Sequence, residues 1–250
     1  AINTPKIYEA NECESWSLLS WIPGQTLRKL EYADIKEITS FIGKINNPLD
    51  KQIRSSLPPA SEACQSLNNF SKLVNYRIDE AYAIKPKNDL GNIARYWIKH
   101  LAYPYFESIE NNLVRKKANM PHWQYRERCE IASPSDVGIH NILSTERGLH
   151  FIDFEYAGID DICKFSADWI LQPEYCLNSD QEMAFIEGLK NNLSHLPYDE
   201  WMPRLVDIKP LIGVKWFMIM LNGLKEQKLS ESQLNKAVTY LKKQIAFNEK

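Results

Sequence analysis

Over residues 34–46 the apolar side chains Ile35, Ile38, Phe41, Ile42 and Ile45 recur at the spacing of one helix face, and Asp34 is placed to cap it. The same spacing predicts helices over about 61–83 and, past the break KPKNDLGN, from 93 to about 117. Between the first two lies NNPLDKQIRSSLPPASEACQ, rich in Pro and Ser and read as a connection. Ahead of the first helix, PKIYEA and SWSLLSWIPG have β-type content around the polar turn NECE, and Pro23-Gly24 ends the second. They read as a pair of strands. After ANMPHW the texture changes to short β-like pieces, YRERCEIAS, NILSTE and LHFIDFE. Helical spacing resumes over 162–171, 180–193, 199–205, a strongly apolar 211–224, and 231–247. The order is a little β, much α, a small β insert, then α again, without repeats or low-complexity blocks. It predicts a mostly α-helical α+β chain.

Composition narrows the class. The chain has 250 residues, 44% hydrophobic and 25% charged, enough for a substantial core. A net charge of −2 and the lack of a basic run interleaved with aromatics argue against a nucleic-acid binder. No apolar run approaches the roughly 18 residues of a membrane span. The N-terminus lacks the layout of a signal peptide. Cys13, Cys64, Cys129, Cys163 and Cys176 are odd in number, widely spaced and without a CxxC pair, so reduced thiols in a cytoplasmic protein fit better than disulfides or zinc. The aromatic pairs Trp16/Trp21 and Trp216/Phe217 are assigned to the core, and the histidines, scattered singly, form no metal-binding spacing.

The candidate chemistry lies at 133–155, in SPSDVGIHN and then GLHFIDFE. An acid five residues before an amide, followed by a second acid at the end of an apolar strand, is too polar for a core. Ile142–Leu143, Glu146-Arg147-Gly148 and the run from Leu149 read as a β-hairpin whose open end holds Asn141 beside Asp153. Magnesium takes oxygen ligands and keeps several waters, so one carboxylate and one amide suit a magnesium–ATP complex. A further acid near an acceptor hydroxyl can orient it and take its proton. Asp153, Asn141 and Asp136 supply these groups.

These two segments resemble the aminoglycoside phosphotransferase and choline kinase-like family, which shares the protein-kinase fold. The family pattern is roughly His-x-Asp-x-x-x-x-Asn, a short hairpin, then an apolar residue and Ile-Asp-Phe/Trp-Glu. By resemblance Asp136 is the catalytic base, Asn141 and Asp153 are metal ligands, and Asp161 and Asp168 fix the following loop and cap a helix. SWSLLSWIPGQTL is similar to the last small-lobe strand, the hinge and the start of the large lobe, which places backbone near Trp21 and Ile22 against adenine. The resemblance implies a division at 1–23, a remnant of the N-terminal lobe with the hinge, and 24–250, a helical C-terminal lobe with its catalytic and metal-binding segment at 133–161. Pro134 stands where the pattern has histidine, so the loop must be fixed by other means. Lys6 does not match the phosphate-pairing lysine, and most of the small lobe is expected before residue 1. His140 is expected to face the acceptor cleft or to pack. The implied activity is ATP- and Mg-dependent transfer of phosphate to a small-molecule hydroxyl, with a catalytically inactive kinase-like binding module as the rival and a magnesium-dependent hydrolase as a weaker one.

Overall fold

The computed structural model describes residues 3–11, 13–47, 51–116, 123 and 129–248. The chain divides into two compact units. The first comprises Ala1–Ala63, Glu130–Asp160 and Glu174–Tyr198; the second comprises Cys64–Cys129, Asp161–Pro173 and Asp199–Lys250. Helices dominate and the strands form small sheets, the mostly helical α+β class that the pattern predicts.

In the first unit β1 (Ile7–Asn11) and β2 (Trp16–Leu19) pair antiparallel, with Asn11 opposite Trp16. Ile7, Tyr8, Trp16 and Leu18 are exposed on this ribbon, and Trp21 beyond it is 89% exposed. Trp16 and Trp21 are therefore not the core residues expected from their aromaticity, because a two-stranded ribbon has no second layer to bury them. β3 (Gln25–Thr26), β5 (Ile142–Thr145) and β6 (Gly148–Phe151) form an antiparallel sheet in the order β3-β5-β6, which contains the predicted hairpin. Of the strand expected over 125–133, β4 (Glu130–Ser133) forms; residues 124–128 lie outside the described residues, as do His122 and most of ANMPHW. β4 pairs with β7 (Gly158–Asp161), which the hydrophobic pattern does not predict. Gly158 makes this strand possible: a Cβ there would stand 2.3 Å from the Pro58 carbonyl oxygen.

Helix α1 (Tyr32–Asn46) buries Ile35, Ile38, Phe41 and Ile42 of the predicted stripe and leaves Ile45 half-buried. It starts earlier than expected. Glu31 is the N-cap, and Asp34 is the third helical residue, its carboxylate accepting the Glu31 N–H at 2.8 Å. The segment read as a connection contains a short helix, α2 (Lys51–Ser56). α1 packs on α7 (Ser179–Asn192) at close range, since a Cβ on Gly188 would lie 2.5 Å from Thr39 Oγ1.

In the second unit α3 (Leu67–Ala83) begins at Ser66, whose hydroxyl accepts the Asn69 N–H, and not near Ser61. Residues before it are already committed: the N–H groups of Ala60 and Ser61 bond the carbonyls of Ile159 and Tyr156 at 3.0 Å. α4 (Asp89–Trp97), a widened turn at Ile98–Ala102 and α5 (Tyr103–Lys116) follow without a break. α6 (Ile162–Ile170) and α9 (Glu231–Asn248) match their predicted spans closely. The two helices expected over 199–205 and 211–224 are one, α8 (Tyr198–Met220), with Pro203 and Pro210 inside it. An internal proline costs a helix about 3 kcal/mol. Burial of Leu205, Ile208, Leu211 and Ile212 on both sides of Pro210 offsets that cost.

Asp161 caps α6 by accepting the Cys163 N–H at 2.8 Å and pairs with the buried guanidinium of Arg204. Asp168, inside α6, is ion-paired with Lys215 at 2.6 Å and Lys164 at 3.2 Å, and both lysines are buried. Burial alone would raise the Asp168 pKa, but the two ammonium charges overcome it and hold the carboxyl below its ordinary 3.8. A depressed folded-state pKa contributes stability above the unfolded value, and that contribution is lost as pH falls through the folded one. Asp168→Ala, which removes the carboxylate that the buried Lys164 and Lys215 share, is expected to destabilise the protein by about 3–5 kcal/mol at neutral pH. Urea denaturation measures this, and the gap from wild type narrows on acidification below pH 3.8.

Candidate functional site

The hairpin decides where two of the expected groups stand. Ile142 lies opposite Phe151, and one step further out the Ile152 N–H donates to the Asn141 carbonyl at 3.0 Å. Asn141 and Asp153 therefore leave the sheet at its same open end. Asn141 closes a tight turn (Ile139–Asn141), and its side-chain Nδ2 donates to the Asp136 carbonyl at 3.2 Å. Among the described residues its Oδ1 carries no hydrogen bond.

Asp153 has φ +64°, a left-handed conformation that non-glycine residues adopt seldom and at a cost of about 1–3 kcal/mol. Aromatic packing holds it there. Phe151 stacks on Phe41 with centroids 3.9 Å apart, and Phe154 lies 6.2 Å from the same ring. The turn between these anchors turns the Asp153 carboxylate outward, where it is exposed and has neither hydrogen bond nor ion pair among the described residues.

The loop before Asp136 is closed without the expected histidine. Ser133 Oγ accepts the Ser135 N–H at 3.0 Å, the Asp136 N–H donates to the Pro134 carbonyl at 2.8 Å, and Ser135 takes φ +63°. Asp136 Oδ1 accepts the Gly138 N–H at 3.2 Å. Its Oδ2 lies 3.3 Å from His140 Nε2, and His140 Nδ1 lies 2.9 Å from Glu174 Oε2. Burial alone would lower the His140 pKa, but the hydrogen bond to Glu174 and the charges of Asp136 and Glu174 outweigh it and raise the pKa overall. His140 is thus engaged by two carboxylates.

Tyr156 ties the two acids together. Its pKa is raised above 10.0, first by its hydrogen bond to Glu155 and by the Glu155 charge, then by desolvation and by the charges of Asp153 and Asp136. One exposed phenol therefore feels all three carboxylates. Asp153, Phe154 and Glu155 line a cleft of about 650 Å³ together with Ser133, Pro134 and Leu19, a volume in the range of small-molecule sites. Trp21 and Ile22 do not line it. With Pro23 they border a separate hollow of about 510 Å³ beside Thr145, Glu146 and Arg147 of the hairpin turn.

Among the described residues no group of three His, Cys, Asp or Glu side chains could hold a metal ion. Magnesium makes a smaller demand, one or two carboxylates with water and substrate phosphate completing the shell. A carboxylate at Asp153 that is unpaired among the described residues, and an unbonded amide oxygen at Asn141 on the same open end of the hairpin, fit that donor set. Sequence reasoning missed Glu174, which lies in no motif, and Tyr156, which follows Asp153 and Glu155 in sequence but reaches the charge of Asp136 only through folding.

No family model matches the sequence, and no curated protein sequence matches it. Structural comparison does find likeness, to small-molecule kinases of the protein-kinase-like fold. A choline/ethanolamine kinase family protein from Mesorhizobium loti aligns with TM-score 0.65 at 12% identity, over 99% of this chain and 75% of that one. A choline kinase from Cryptosporidium parvum aligns with TM-score 0.58 at 12% identity, over 99% and 74%. A spectinomycin phosphotransferase in complex with ADP and spectinomycin aligns with TM-score 0.53 at 12% identity, over 90% and 66%. At these identities the likeness establishes the fold. The chain has the fold of the choline kinases and aminoglycoside phosphotransferases, the group its central segments resemble.

The electrostatic link through Tyr156 is directly measurable. Glu155→Gln is expected to lower the Tyr156 pKa most, and Asp153→Asn and Asp136→Asn to lower it by less, in an NMR titration of ring-labelled tyrosine. If neither aspartate variant moves the titration, the two acids do not share this neighbourhood.

Proposed function

We propose that the chain is, or is part of, an ATP- and magnesium-dependent phosphotransferase acting on a hydroxyl of a small molecule: a sugar, an aminoglycoside or an amino alcohol. The observation that carries this reading is the Asp153 carboxylate, held outward by a left-handed backbone and unpaired among the described residues, at the same open end of the hairpin as Asn141, whose side-chain amide donates to the Asp136 carbonyl. A fold that spends strain to expose a carboxylate indicates a use for it.

The roles divide by what each side chain is bonded to. Asp153 and Asn141 would hold the metal, which supplies charge neutralisation on the phosphates when bound. Asp136 is only half-buried and already accepts the Gly138 N–H, so its carboxylate is fixed in direction while lone pairs remain for an acceptor hydroxyl. It would orient that hydroxyl and take its proton, the part a general base plays in phosphoryl transfer. Trp21 and Ile22 are assigned the adenine, the hollow beside the hairpin turn offering the room. Five cysteines, none of them in a disulfide, suit work in the cytoplasm. Among the described residues no helix is long and apolar enough to cross a membrane.

In the full-length natural protein, Asp153→Ala is expected to abolish magnesium-dependent ATP binding in calorimetry, and an unchanged affinity contradicts the ligand assignment. Asp136→Asn is expected to leave ATP affinity within a few-fold and to lower turnover by roughly a hundredfold or more. A panel of sugars, aminoglycosides and amino alcohols, screened for ATP consumption, supplies the acceptor for that assay. Nucleotide binding without ATP consumption on any acceptor would favour the inactive binding module.

A further inference from the structure

The histidine expected at position 134 is a proline, yet Asp136 is held on both oxygens. One side is held by the loop itself, through the Gly138 N–H on Oδ1. The other side is held by a chain of two side chains. His140 Nε2 meets Asp136 Oδ2 at 3.3 Å, and on the opposite edge of the ring Nδ1 meets Glu174 Oε2 at 2.9 Å. Glu174 stands 34 residues away, in the connection before α7. We propose that His140 and Glu174 form the positioning device of this site: Glu174 fixes the plane of the imidazole, and the imidazole fixes the carboxylate of Asp136.

The geometry favours positioning over mere surface pairing in two ways. First, a single ring has two nitrogens about opposite one another, and each is spent on one carboxylate, so rotation about χ2 breaks both contacts at once. A lone surface ion pair has no such restraint and is worth about 0–1 kcal/mol. Second, the bonds within the loop from 135 to 140 fix its backbone and one carboxylate oxygen of Asp136, and leave Oδ2 to the His140 ring. Ser135 is left-handed, and His140 sits in the tight turn that ends at Asn141. Holding His140 from outside by Glu174 therefore fixes the ring relative to the carboxylate of Asp136. Neither residue touches the acceptor or the nucleotide on this view; both act through Asp136. They do the supporting work that the family pattern gives to the residue at position 134, from the other side of the acid.

The proposal rests on the kinase reading, and the test separates the two. In the full-length natural protein, with the acceptor found by the panel, kcat and the KM for ATP are measured for Asp136→Asn, Glu174→Leu, Glu174→Gln and His140→Leu, alongside thermal midpoints. Glu174→Leu is expected to lower kcat on the order of ten- to a hundredfold, as a misplaced catalytic group does, with KM for ATP and the thermal midpoint nearly unchanged. Glu174→Gln, which keeps an acceptor for Nδ1–H, is expected to recover kcat to within about threefold of wild type. His140→Leu should match Glu174→Leu; if it does not fold, the two Glu174 variants decide alone, because that side chain is exposed. Wild-type kcat in Glu174→Leu, where Asp136→Asn has lost turnover, overturns the positioning role and leaves the kinase reading standing. A fall in kcat that Glu174→Gln does not relieve also overturns it. Full turnover in Asp136→Asn overturns the kinase reading itself and the positioning role with it.

Discussion

A single backbone hydrogen bond, Ile152 N–H to the Asn141 carbonyl, sets the spacing on which the candidate site depends. It closes the open end of the β5–β6 hairpin, so the residues just beyond the ladder cannot splay. Asn141 lies on one side of the closure and Asp153 on the other. The sheet is narrow, but it is braced along both edges. Thr26 and Leu27 bond across to β5, and Asn3 bonds to β6 through both its carbonyl and its side chain. Phe151 then locks the last strand residue against α1 through its stack on Phe41. The left-handed turn at Asp153 begins from that fixed point, and without it the strain would relax by moving the carboxylate.

The acids of residues 136–168 are distinguished by their partners. Asp161 is buried and Asp168 largely so, and both are paired with cations, so they hold their segments in place. Asp136 is hydrogen-bonded on both oxygens but accessible, a compromise between fixed direction and availability. Asp153 and Glu155 are exposed and line the cleft, and only Glu155 has a hydrogen-bond partner, the Tyr156 phenol. Three carboxylates near one phenol repel each other and raise that phenol's pKa. Such crowding of like charge is unfavourable unless a cation or donor relieves it. Among the described residues no buried lysine or arginine pairs with Asp136, Asp153 or Glu155, although three such residues pair with Asp161 and Asp168.

How much of this was legible before folding depends on the range of the interaction responsible. The hairpin and the acid-to-amide spacing are local, so SPSDVGIHN and GLHFIDFE carried them in full. The stripe of α1 was equally plain, because its period is a property of a few turns. The start of α3 was misjudged because backbone bonds from Ala60 and Ser61 to Ile159 and Tyr156 overrule local helical spacing, and those partners are about a hundred residues away. β7 was invisible for the same reason: a strand of buried glycine, isoleucine and two aspartates has no alternation to read. The fusion of two predicted helices into α8 shows burial overruling proline punctuation. In the candidate site, Asp136, Asn141 and Asp153 are proposed from a local pattern, whereas Glu174 carries no signal, since nothing in CLNSDQ or PEY marks an acid as the partner of a histidine 34 residues earlier.

Pro134 illustrates how a departure from a motif is absorbed. A histidine at that position would offer ring nitrogens to fasten the loop, and proline offers no donor at all. What proline does supply is a fixed φ and a carbonyl that the Asp136 N–H reaches at 2.8 Å, so the loop closes over two residues through backbone alone. Ser135 must then adopt the left-handed conformation, and the Ser133 hydroxyl accepts its N–H, which offsets part of the strain. This arrangement orients the backbone of Asp136 but leaves its carboxylate free to rotate about χ2. Direction for the carboxylate has to come from downstream, and the Gly138 N–H and the His140 ring are the groups that provide it.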